Sequence, residues 1–243
     1  MRVLLKISYL GTAYHGWQVQ PNGITVQETM QNALERLYKS RPNLTGCSRT
    51  DAGVHAIEFF CHYDTDKYIE EKGIVAALNT VLPNDISVLG CKYVDDNFHA
   101  RYSAKGKNYI YRIFNSTVPS PFEENRSWRI ARALDECRMN EFAAQLVGTH
   151  DFVGFSSSGR TVTDTVRTIT ECSVKRENDI ITLSITADGF LYNMVRIIVG
   201  TAVDMSDNKL NPDDTLKIIN SKSREAAGIT AVPCGLYLNK VIY

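Results

Sequence analysis

Along the first stretch, Val3, Leu5, Ile7 and Tyr9 alternate with Leu4, Lys6 and Ser8, the period-two pattern of a strand. Residues 11–23 interrupt that pattern as a loop holding Tyr14, His15, Gly16 and Trp17. Thr25-x-x-Glu28 then reads as a capping box, in which each side chain satisfies a free backbone N–H at a helix start. Val26, Met30, Ala33, Leu34 and Leu37 give that helix one apolar face, and Ser40-Arg41-Pro42 is expected to end it. A strand is expected over residues 57–63, a helix over 69–81 stopped by Pro83-Asn84-Asp85, and a strand over 86–94. Residues 1–100 are assigned a β-α-β-β-α-β, ferredoxin-like order, which holds one strand more than the three placed here.

From residue 101 a second α+β half, 101–243, begins. In residues 108–114, Tyr109, Tyr111 and Ile113 oppose Ile110, Arg112 and Phe114, a strand with an aromatic face that Pro119 and Pro121 break off. Residues 134–147 carry Met139, Phe142, Ala143 and Leu146 at helical spacing, with Gly148 as the expected C-cap. Residues 150–160 form a loop rich in groups suited to phosphate oxygens. Residues 166–175 and 180–187 flank Glu177-Asn178-Asp179 as a hairpin. Helices are expected over 191–203 and 213–220, and a strand over 236–243. The fold class is α+β: two ferredoxin-like halves forming a largely antiparallel sheet flanked by helices, with the active-site cleft expected between the halves.

Composition narrows the picture. At 243 residues, 44% hydrophobic and 22% charged, the chain has the make-up of an ordinary globular protein. Lys+Arg and Asp+Glu are both 27, so net charge says nothing for a polyanion. The distribution says more: residues 101–132 hold seven basic side chains against Glu123 and Glu124, while residues 64–96 hold seven acidic against three lysines. A neutral total can thus hide a basic segment suited to phosphates, although charge alone fits two solvated faces of opposite sign better. The six cysteines form no C-x-x-C pair, which argues against a zinc site or disulfide framework and for a reducing cytoplasm. Residues 190–203, interrupted by Arg196, fall short of a membrane span.

Candidate chemistry concentrates in residues 47–56, C-S-R-T-D-A-G-V-H-A, which set Arg49, Asp51 and His55 around a flexible Ala52-Gly53 step. Taken alone, Asp-Ala-Gly is ordinary turn chemistry. It does not stand alone. Y-L-G-T-A-Y-H-G-W-Q-V-Q-P lies upstream (9–21), and F-H-A-R-Y-S-A (98–104), K-N-Y-I-Y-R-I (107–113) and H-D-F (150–152) lie downstream. G-F-L-Y-N-M-V-R-I-I-V-G (189–200) and A-G-I-T-A-V-P-C-G-L-Y-L (227–238) follow. Together, and in order over nearly the whole chain, these segments resemble the bacterial tRNA pseudouridine synthase A family.

That resemblance implies the pseudouridine synthase fold and an isomerase that needs neither metal nor organic cofactor. Its partner would be tRNA, bound at the anticodon stem-loop, with a uridine on the 3′ side flipped out, its uracil detached from C1′ and rejoined through C5. It also implies a homodimer with no membrane association. Asp51 matches the catalytic aspartate, whose carboxylate either attacks C1′ or assists removal of a sugar proton; an ionised carboxylate beside a sugar suits metal-free glycosidic cleavage. Arg196 matches the basic residue paired with it, and a guanidinium there would hold the carboxylate ionised. Tyr109 matches the active-site tyrosine, although Tyr111 shares its face and periodicity alone does not choose between them. Arg49 matches the arginine that fills the gap left by the flipped nucleotide. Arg101, Lys105, Lys107, Arg112 and Arg160 are candidates, as a patch, for tRNA backbone contacts. His55 reads as a loop hydrogen-bonder.

Two features depart from the family pattern. Cys47-Ser48 stands where Ala-Gly is usual, and residues 57–63 are bulkier than the usual continuation. Either could alter the cleft walls, so a synthase with a different RNA target is one alternative; the basic segment 101–132 and its aromatics motivate another, a tRNA-binding chaperone with weak or lost catalysis. A hydrolase using Asp51 as nucleophile is the poorer one, since no motif marks a second carboxylate.

Overall fold

The computed structural model describes residues 1–159 and 162–243, and the chain divides into two compact units. Met1–Lys105 with Tyr237–Tyr243 form the first, and Gly106–Leu236 the second. Sequence order put 101–243 in one half; residues 101–105 and the terminal strand instead group with the first unit.

In the first unit the alternating start is strand β1 (Arg2–Tyr9), followed by helix α1 (Val26–Tyr38), strands β2 (Thr45–Gly46) and β3 (His55–Asp64), helix α2 (Glu71–Val81) and strand β4 (Ile86–Val94). Strand β10 (Leu236–Ile242) returns from the far end of the chain. The strands lie in the order β4-β1-β3-β10, antiparallel except where Tyr237 and Leu238 run parallel to His55 and Ala56. That parallel pairing explains the regrouping: the edge of β3 beyond Gly53 is satisfied by chain arriving from residue 237 onward. Two-residue β2 pairs Thr45 with His62 and Gly46 with Cys61 on β3. Val3, Leu5, Ile7, Phe59, Cys61 and Tyr63 are fully buried, as are Met30 and Leu34 of α1 and Ile74 and Leu78 of α2.

Thr25 caps α1 as the sequence predicts, its Oγ1 accepting from the Glu28 N–H at 3.3 Å. The helix stops at Lys39, which takes the left-handed conformation (φ 61°), ahead of the expected Ser-Arg-Pro stop.

The second unit holds strands β5 (Gly106–Phe114) and β6 (Trp128–Arg129), helix α3 (Glu136–Gln145) and strands β7 (Gly148–Asp151), β8 (Val166–Glu177) and β9 (Ile180–Ala187). Helices α4 (Met194–Ser206) and α5 (Thr215–Ser221) follow. The order β5-β9-β8-β7 is antiparallel throughout, and β6 lies parallel on β5. Helix α3 packs on β8 and on α4. Asp135 starts α3 by accepting from the Cys137 and Arg138 N–H groups. Short β7 was expected as loop; its residues are polar, and only pairing with β8 makes them a strand. No helix among the described residues is long and apolar enough to cross a membrane.

Candidate active site

The loop of residues 47–56 is held from below by residues 9–17. Thr50 C=O accepts from the Trp17 N–H (3.1 Å), Tyr14 C=O accepts from the Gly53 N–H (3.3 Å), and the Thr50 and Tyr9 hydroxyls bond at 2.8 Å. Val54 N–H donates to Asp51 C=O at 3.2 Å, closing a turn over Ala52 and Gly53, with Gly53 at φ 77°. Positive φ at that position is why the sequence carries glycine there. Asp51 is half-buried on this turn, next to exposed Ala52.

Close backbone approach explains two more glycines. A Cβ on Gly11 would lie 2.0 Å from Val54 C=O, and one on Gly16, itself at φ 81°, would lie 2.5 Å from Thr50 C=O. The Y-L-G-T-A-Y-H-G-W segment is thus the cradle of the aspartate turn. In the sequence this segment is a strand end and a loop, and two glycines among four rings are the only mark of its task.

His55 is fully buried; its Nδ1 accepts from the Gly11 N–H at 2.9 Å and its ring lies 4.6 Å from that of Tyr237. It fastens the cradle to the turn. Cys47 is fully buried at the end of β2, its N–H donating to Phe60 C=O and its Sγ accepting from the Phe60 N–H, so the departure at 47 is absorbed inside the unit. Arg49 is exposed, and Arg101 half-buried beside Tyr102, whose ring centroid lies 5.7 Å from its guanidinium carbon. Lys105 is exposed, its N–H bonded to Ile242 C=O.

In the second unit Tyr109 and Tyr111 share a buried face of β5 but differ in attachment. Tyr111 is fully buried, its hydroxyl donates to Val232 C=O at 2.7 Å, and burial pushes that hydroxyl well above its usual range. Gly235 lies against it: a Cβ there would sit 2.6 Å from the Tyr111 ring. Tyr109 packs edge-on to Phe190, centroids 5.0 Å apart at 81°. Phe190 is a neighbour the sequence reading missed, though it stands in the same quoted motif as Arg196.

Arg196 lies two residues into α4, half-buried. Its Nε donates to Ala231 C=O (2.7 Å) and its Nη1 to Asn193 Oδ1 (2.9 Å), while Ala231 N–H donates back to Arg196 C=O (3.1 Å). Asn193 adopts the left-handed conformation (φ 61°), which is why the helix begins at Met194 rather than at 191. Gly200 lets the 227–231 segment approach: a Cβ there would meet Ile229 C=O at 1.8 Å. The two late motifs of the sequence are therefore the two sides of one clasp around Arg196.

Of the remaining basic candidates, Lys107 is half-buried on β5 and Arg112 donates from Nη2 to both Glu123 oxygens, at 2.9 and 3.1 Å. Arg160 lies outside the described residues. In the 150–160 loop, Asp151 is used internally: it accepts from Thr165 Oγ1 and Val153 N–H and pairs with Lys222, which holds its carboxyl below the usual range.

A mostly antiparallel α+β chain, with an aspartate turn cradled by glycines and an arginine clasped at a helix start, has counterparts among known proteins. The family model described as tRNA pseudouridine synthase matches residues 6–103 and 142–243. The tRNA pseudouridine synthase A of Thermoanaerobacter sp. (strain X514) is 46% identical over 241 residues, covering 99% of each chain. That of Acetivibrio thermocellus is 46% identical over 99% of each chain, and that of Bacillus licheniformis 42% identical over 100% of this chain and 99% of its own. The chain belongs to the tRNA pseudouridine synthase family. Among solved structures, a chain of a Cbf5-Nop10-Gar1 complex matches with a TM-score of 0.39 at 10% identity, covering 97% of this chain and 48% of that one, too distant to carry an argument.

Proposed function

We propose that this chain isomerises uridine to pseudouridine in tRNA, on the 3′ side of the anticodon stem-loop, with Asp51 as the catalytic carboxylate. Arg196 holds that carboxylate ionised, Tyr109 stacks on the flipped uracil and its hydroxyl helps remove the C5 proton, and Arg49 fills the space the uridine leaves. Arg101, Lys105, Lys107, Arg112 and Arg160 contribute to holding the phosphate backbone. The reading extends to a homodimer working in the cytoplasm.

One observation carries the proposal most: Asp51 sits on a turn whose backbone is hydrogen-bonded on both sides, to Trp17 and Tyr14, inside a segment matched by the family model. A carboxylate that breaks a glycosidic bond must keep its position as charge develops on the sugar, and a pinned turn provides that. The commitment of the Tyr111 hydroxyl to Val232 supports Tyr109 as the tyrosine that meets the base.

Chemical mapping of pseudouridine in tRNA incubated with the protein tests the proposal. Product confined to the 3′ side of the anticodon arm, absent with Asp51→Asn, is the expected result. Product at an unrelated site, or tRNA bound but unmodified, would replace it with one of the alternatives.

A further inference from the structure

The F-H-A-R-Y-S-A motif carries an aromatic ring that the chemistry above leaves unused. Tyr102 is 77% exposed, more than a core ring would be. It is nonetheless not loose: its ring lies 4.3 Å from that of His99 at 33°, and the Arg101 guanidinium stands 5.7 Å from its centroid. His99 is itself fixed, its Nδ1 accepting from the Arg101 and Tyr102 N–H groups. The three residues form a prepared platform of two rings and a cation. They line a cavity of about 260 Å³ whose wall also includes Trp17, Gln18 and Arg49. That volume is slightly below the roughly 300–1,000 Å³ of sites for drug-sized ligands, and suits a single nucleoside.

We propose that this cavity receives a second, unstacked nucleotide of the RNA substrate, the neighbour of the flipped uridine, with its base on Tyr102 and its phosphate on Arg101. The inference rests on the RNA-modifying activity proposed above. Proximity in the chain selects the neighbour: Arg49 lines the cavity and stands two residues before Asp51, at most about 7 Å of extended backbone, close to one nucleotide step. An exposed ring beside a guanidinium binds any base by its π-face, which suits an enzyme that must hold RNA of varied sequence around its target. It would also stabilise the opened strand, because extruding one nucleotide costs its neighbours their stacking.

The test uses full-length protein and tRNA carrying 2-aminopurine next to the target uridine, alongside steady-state kinetics on unlabelled tRNA. Native protein and Tyr102→Phe should quench the fluorophore equally. Tyr102→Ala should lose the quench and raise KM by roughly five- to a hundredfold, with kcat little changed. Its thermal midpoint should match the native one, since the ring is exposed and few core contacts are lost. An unchanged KM in Tyr102→Ala, the same quench with and without the ring, or a Tyr102→Phe variant as impaired as Tyr102→Ala would overturn the inference. Failure of the native protein to form pseudouridine would instead remove the activity on which it rests, so the two failures are told apart.

Discussion

Tyr109 and Tyr111 stand two positions apart on one face of β5, and the proposal gives the base-facing role to Tyr109 because the Tyr111 hydroxyl is bonded to Val232 C=O. Tyr111→Phe should remove the bond to Val232 C=O, lower stability by about 1 kcal/mol in urea unfolding, and leave turnover near native. Tyr109→Phe keeps the ring that packs on Phe190 and should reduce kcat by roughly 10²-fold or more in single-turnover assays. The reverse pattern would exchange their roles. In the sequence the two are equivalent by periodicity. What separates them is contact with residues 232–235, more than a hundred positions away, and no local pattern carries that.

A second residue links titration to stability. Burial, helped by the charges of Arg2 and His99, lowers the His62 pKa from 6.5 to about 4, and its Nδ1 accepts from the Ala100 N–H. The native state therefore refuses a proton that the unfolded chain takes up. Its contribution is complete above pH 6.5 and is lost as pH falls through 6.5 toward about 4. After allowing for screening by water, this amounts to on the order of 1–2 kcal/mol. Urea unfolding at pH 7 and pH 5 should show that loss in the native protein and a smaller one in His62→Gln. Equal losses in the two would contradict the assignment.

Among the elements, those with regular apolar spacing were legible and those made by pairing were not. Helix α1 was readable from Val26, Met30, Ala33 and Leu34, and its start from Thr25; its end at Lys39 was not, because a left-handed lysine leaves no compositional mark. Strand β7 was hidden because Gly-Thr-His-Asp has no strand pattern of its own and depends on β8. The cradle is the clearest case. Gly11 and Gly16 were visible, but only the fold shows that each is needed for its closeness to Val54 or Thr50. Gly16→Ala would combine a disfavoured φ with an overlap on Thr50 C=O, at about 2–4 kcal/mol. Calorimetry should show a midpoint roughly 5–10 °C lower. Activity measured well below that midpoint should fall as well, because Asp51 moves with its turn. Full activity in folded Gly16→Ala would show that the turn needs no cradle.

At the scale of the whole molecule, the α+β class and the sequence of helices and long strands in the first unit were readable from the chain, as was the family, because seven separated motifs occur in order; two-residue β2 was not, since only its pairing with β3 makes it a strand. The return of residues 237–243 to the first unit was not, since nothing local distinguishes a strand that pairs with its own half from one that crosses back. The basic segment proved to be mixed in use. Arg112 is tied to Glu123 and Arg132 to Asp207, the latter through two bonds that hold the Asp207 carboxyl below its usual range. Raising salt should therefore weaken tRNA binding with a shallower slope than seven basic residues would give, measured as log Kd against log salt concentration.

The central claim is that Asp51 drives a bond exchange at uridine. Transfer RNA labelled with tritium at uridine C5 reads that chemistry directly, since rejoining through C5 must release the label to water. The account predicts release by the native protein, stoichiometric with pseudouridine formed, and a loss of roughly 10²-fold or more with Asp51→Asn. Undiminished release from Asp51→Asn, or free uracil as the product, would contradict it.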